Sequence, residues 1–120
     1  MTTLLYGIPN CSTVKKARTW LDQQSCLYTF IDFKKQAPTA ELIKTWLQDV
    51  PLSTLLNKRG TTWRQLSPTE QASAEDTDVA IALMVAHPSM IKRPVLVHAG
   101  HAQAGFNEAD YAQTLAKADA

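Results

Sequence analysis

The chain has 120 residues, 45% of them hydrophobic, and 12 Lys and Arg against 11 Asp and Glu give a formal net charge of +1. That length and apolar content suit a single globular domain that closes a core without cross-links, and the near-balanced charge excludes attraction of nucleic acid or an anionic membrane by the surface as a whole. No apolar run approaches the roughly 20 residues of a membrane span and the N-terminus lacks a secretory leader pattern, so a cytoplasmic address is expected; a monomer is expected because the apolar residues suffice for a core of their own and no exposed heptad is present.

In chain order, Leu4 to Gly7 predicts a buried strand, and Ile8-Pro9-Asn10 the turn into a helix capped near Asn10 or Ser12. Val14, Ala17, Trp20 and Leu21 recur at helical spacing, and the helix is expected to end near Gln23. Leu27 to Asp32 is rich in β-branched and aromatic residues and predicts a second strand. After a loop from Lys34 to Pro38, Thr39 opens a helix with Leu42, Ile43, Trp46 and Leu47 on one face. Pro51, Gly60 and Pro68 break the middle into several short helices, and a longer one is expected from Asp78 to His87. Pro94 to His98 predicts a strand, Ala99-Gly100 a hairpin turn, Ala102 to Phe106 its partner, and Asn107 the cap of a closing helix through Leu115.

A strand, helix and parallel strand imply a right-handed crossover. Adding an antiparallel hairpin predicts an α/β fold: a mixed four-stranded sheet with helices on both faces, thioredoxin-like in outline.

Within that outline Cys11 falls where a strand hands over to a helix. The first helical turn leaves backbone N–H groups without partners and carries the positive end of the macrodipole, and both favour a thiolate. Lys15, Lys16 and Arg18 add positive charge nearby. The plainer use of a free cysteine is as a small buried hydrophobe. Cys26, at the start of a strand with no cations around it, fits that plainer use. Val14 occupies the third position after Cys11, so no C-x-x-C pair exists, and a resolving thiol is expected from outside the chain rather than from Cys26.

Arg93-Pro94 opens a strand, a natural place for a cis peptide whose turned backbone offers polar groups to a ligand. Arg93 and Arg59, the latter in Asn57-Lys58-Arg59-Gly60, present guanidinium forks suited to a carboxylate or oxyanion. Arg64 reads as a solvated charge and Trp20, Trp46 and Trp63 as core anchors. His87, His98 and His101 read as surface or turn residues without metal-ligand spacing, so no metal is expected.

Four segments, Tyr6 to Ala17, Asn57 to Gly60, Arg93 to Val97 and Gly105 to Asn107, together resemble the arsenate reductase (ArsC)-like family, which includes the Spx regulators. The match looks closest to its YffB branch, proposed glutathione-dependent thiol reductases, and spans essentially the whole chain. The resemblance implies a glutaredoxin-like thioredoxin fold over residues 1–120 as one domain, with a helical insertion at about 38–87. It implies Cys11 as the catalytic nucleophile. Asn10, Ser12, Thr13, Arg59, Arg93 and Pro94 make up the expected substrate- and anion-binding set, and glutathione is the expected co-substrate.

In arsenate-reducing members three arginines surround the cysteine. Two correspond to Arg59 and Arg93, but no arginine follows Arg93 here to supply the third near Gly105-Phe106. Spx-type regulators, which bind RNA polymerase, usually carry two cysteines three apart, where this chain has Cys11 and Val14. The expected activity is therefore glutathione-dependent thiol oxidoreduction through a mixed disulfide on Cys11. Arsenate reduction and polymerase binding are the alternatives.

Overall fold

A short run of mostly buried residues forms the first strand, β1 (Thr3–Gly7), and its two neighbours fix the sheet. The computed structural model describes residues 2–119. β2 (Thr29–Asp32) lies parallel to β1, with Leu4 opposite Thr29 and Gly7 opposite Asp32. On the other side β3 (Val95–His98) runs antiparallel, pairing Tyr6 with Val95 and Thr3 with His98. β4 (His101–Ala104) closes the hairpin, giving a mixed four-stranded sheet in the order β2-β1-β3-β4, the predicted thioredoxin-like arrangement.

Helix α1 (Ser12–Gln23) crosses from β1 to β2, and α7 (Glu108–Asp119) follows β4. Leu5 and Leu96, paired across the sheet, bury against Ala17, Trp20 and Leu21 of α1 and Tyr111 of α7. Trp20 and Phe106 both lean on the Tyr111 ring, at 5.9 Å and 4.9 Å between centroids, and such edge-on aromatic contacts add to plain burial. Gly7 makes this packing possible, because a Cβ there would stand 2.8 Å from Val14 Cγ2.

Chain contacts divide the molecule into two compact units, residues 1–36 with 93–120, and residues 37–92. The second is helical: α2 (Ala40–Leu47), the single-turn α3 (Leu52–Leu55) and α4 (Thr61–Arg64), α5 (Pro68–Ser73), α6 (Thr77–Ala86) and a 3-10 turn at Pro88–Met90. Thr39, expected to open this helix, is its N-cap, its side chain accepting from the Leu42 N–H at 3.2 Å. Ser67 and Glu70 form a reciprocal capping box on α5. Trp46 and Trp63 are buried, and a bridge between Leu56 and Ile91 ties the ends of this unit together.

Several expectations are corrected. The second strand begins at Thr29 rather than Leu27, because Ser25 adopts a positive φ of 54° and the Cys26 N–H returns to the Leu21 carbonyl, leaving Leu27 92% exposed. The hairpin partner starts at His101, directly after the Ala99-Gly100 turn, where both residues have positive φ. His98 is not a surface residue: it is buried, with Nδ1 2.6 Å from the Thr3 hydroxyl.

Candidate functional site

The N-cap of α1 is Cys11 itself, with φ −95° and ψ 127°, not Asn10 or Ser12. Its backbone does what a cap's backbone does: the Lys15 N–H donates to the Cys11 carbonyl at 3.0 Å and opens the helical ladder. The amides of Ser12, Thr13 and Val14 precede that first bond and have no acceptor within the helix. No side chain caps them, and the first turn holds no acidic residue. A half-buried sulfur thus stands where a capping oxygen would, at the positive end of a 12-residue helix, with nothing anionic beside it on α1.

Asn10 and Ser12 flank it in exposed positions, and Thr13 is half-buried in the first turn. The strand register brings Arg93 and Pro94 to the same end of the sheet. Val95 pairs with Tyr6, so Pro94 and Arg93 extend alongside Gly7 and Ile8, the residues leading to Cys11. The Arg93-Pro94 bond is cis, as expected; Pro94 is buried and Arg93 half-exposed. The Pro94 carbonyl accepts from the Gly105 N–H at 2.8 Å, which brings the segment after β4 to this end as well.

Of the three nearby cations, Arg18 is engaged elsewhere: its guanidinium lies 4.2 Å from the Phe30 ring centre and its Nε donates to the Tyr28 hydroxyl at 3.3 Å. Lys15 and Lys16 are exposed. Cys26 lies beyond the far end of α1, half-buried against the Trp20–Leu21 cluster, with Sγ 3.8 Å from the Leu27 carbonyl. A helix of 12 residues is ~18 Å long. A disulfide needs Cα atoms within about 7 Å, so Cys26 does not reach Cys11 in the folded chain.

Arg59 belongs to the helical unit. Its N–H donates to Asn57 Oδ1 at 3.1 Å in a tight turn, and it lines a cleft of about 330 Å³ with Ser53, Thr54, Leu56, Asn57, Lys58 and Lys92. Three cations and no carboxylate make this an anion-attracting surface. Sequence reasoning singled out Arg59 but missed Lys58 and Lys92. The signal was available as two basic dipeptides, Lys58-Arg59 and Lys92-Arg93, each close behind an apolar residue. Their meeting depends on the long-range bonds from the Lys92 N–H to the Leu55 carbonyl and from the Asn57 N–H to the Met90 carbonyl, both 2.7 Å.

Comparison with known proteins gives the family and the fold. The model of the ArsC family matches residues 6–114. The solved structure of a YFFB protein is 45% identical, with a TM-score of 0.90, covering 95% of this chain and 99% of that one. An arsenate reductase (ArsC) related protein from Brucella melitensis is 42% identical, with a TM-score of 0.73, covering 96% of this chain and 95% of its own. The global transcriptional regulator Spx 2 of Bacillus anthracis is 24% identical over 121 residues, 93% of this chain and 86% of the regulator. Among the described residues no helix is long and apolar enough to cross a membrane.

Proposed function

The chain belongs to the ArsC family, and from that premise we propose that it is a glutathione-dependent thiol oxidoreductase working through a mixed disulfide on Cys11. The observation that supports this reading is the sulfur's place as N-cap of α1, at the sheet end that also carries Arg93 and cis-Pro94.

The Cys11 thiolate attacks one sulfur of a substrate disulfide; a Cys11–substrate disulfide forms and the other half leaves as a thiolate. One glutathione thiolate then displaces the bound half, leaving glutathione joined to Cys11. A second attacks that glutathione's sulfur, so oxidised glutathione departs and the Cys11 thiolate returns. The first-turn amides steady the negative sulfur each time it appears. Arg93 holds a carboxylate group of the partners, and Pro94 shapes the surface against which an extended ligand lies.

Val14 argues against a two-cysteine switch of the regulator kind. The position three after Cys11 is fully buried and pressed against Gly7, a core site. Arsenate is the poorer substrate in this reading, because no arginine follows Arg93.

Exposure to oxidised glutathione followed by mass spectrometry tests the assignment. A glutathione adduct confined to Cys11, lost in Cys11→Ser and kept in Cys26→Ser, is expected. An adduct on Cys26 instead, or none, overturns it. Retention of RNA polymerase subunits from a lysate, with an inert Cys11, would favour the regulator reading.

A further inference from the structure

We propose that the cleft between α1 and the start of α7 is a subsite for the γ-glutamyl end of the glutathione joined to Cys11. This rests on the thiol oxidoreductase reading and adds to it the residues that select the thiol. The cleft, about 370 Å³, is lined by Lys15, Lys16, Thr19, Trp20, Gln23, Phe106 and Glu108.

Two geometric facts tie it to Cys11. Lys15, Thr19 and Gln23 follow Cys11 at intervals of four, so they form one stripe down α1 that starts at the sulfur-bearing residue. The opposite wall, Phe106 and Glu108, comes from the segment that the Gly105 N–H bond to the Pro94 carbonyl holds at the Cys11 end of the sheet. The first cation of the stripe is one helical turn, ~6 Å, along the axis from Cys11. That is within reach of the γ-glutamyl arm, whose backbone extends about 3.5 Å per residue and carries two further methylenes.

Charge then selects which end of the tripeptide fits. The glycyl end of glutathione is a lone carboxylate, for which a cation suffices, whereas the γ-glutamyl end carries an α-carboxylate and an α-ammonium on one carbon. The cleft offers both signs: Lys15 and Lys16 for the carboxylate, Glu108 for the ammonium. Among the described residues none of these three is engaged in an ion pair. Trp20 and Phe106, with ring centres 6.4 Å apart, form an apolar wall along which the methylenes of the arm lie.

The test compares rates of Cys11 adduct formation, read by mass spectrometry at about 0.15 M salt, where long-range charge effects are screened. Three symmetric disulfides serve as probes: those of glutathione, of glutaryl-cysteinylglycine, which lacks only the ammonium, and of N-acetyl-cysteinylglycine, which lacks the whole charged end. Wild-type protein is expected to prefer glutathione to the N-acetyl compound by about three- to tenfold. The Lys15→Gln/Lys16→Gln double variant should lose that preference. Glu108→Gln should lose only the part that separates glutathione from the glutaryl compound. A Cys11 that reacts with all three probes equally, or a preference that survives both variants, overturns the subsite while leaving the thiol chemistry standing. A Cys11 that reacts with none overturns both.

Discussion

Three residues mark the limits of local reading. Cys11 is legible because strand, turn and helix follow one another within ten residues, but its role as the cap is not, since Asn10 and Ser12 are the better capping residues on intrinsic preference. The backbone overrides that preference and puts the sulfur at the helix mouth. His98 is invisible locally because its partner, Thr3, is 95 positions away and adjacent only through the β1–β3 register. Tyr111 likewise owes its character to tertiary structure. Its hydroxyl donates to the Gly105 carbonyl at 2.7 Å, and burial pushes its ionisation far above the ordinary value. Above pH of about 10 the unfolded chain releases this proton while the folded chain keeps it, so the unfolded state binds fewer protons and stability falls as pH rises. Tyr111→Phe removes that loss together with a hydrogen bond of about 1 kcal/mol. Urea titrations should therefore show the variant less stable at pH 8 and the gap closing by about 1.4 kcal/mol per pH unit above 10. A gap independent of pH would contradict this.

At the level of elements, periodicity carries most of the information and fails at the ends. The apolar spacing of α1 identifies its buried face, and the short continuous apolar runs of β1 and β3 identify strands buried on both faces. The start of β2 and the placement of β4 are set by residues in positive φ, Ser25 and Ala99, which no hydrophobic pattern encodes. The contact between β1 and α1 is tight enough to test. Gly7→Ala forces its new methyl into Val14 and should cost about 1–3 kcal/mol, shifting the helix start and slowing adduct formation at Cys11. The double variant Gly7→Ala/Val14→Ala restores space and should recover part of the loss, a coupling measurable by denaturant midpoints. Equal losses in single and double variants would show that the clash is absorbed elsewhere.

Over the whole molecule, the fold class follows from the order of elements, since a parallel crossover and a hairpin leave few ways to assemble four strands. The distribution of charge does not. A net charge of +1 conceals two concentrations of positive charge: Lys15 with Lys16, already adjacent in the sequence of α1, and Lys58, Arg59 and Lys92 in the helical unit, which come together only once distant segments are paired. The rod-like span of α1 has its own outcome for redox state. With one thiol at its mouth and the other past its tail, the native protein has no way to cyclise on itself, so taking up oxidising equivalents must make it heavier. Intact-mass measurement should show added oxygen after peroxide and an added thiol partner after disulfide treatment, and tryptic peptides should contain no Cys11–Cys26 disulfide.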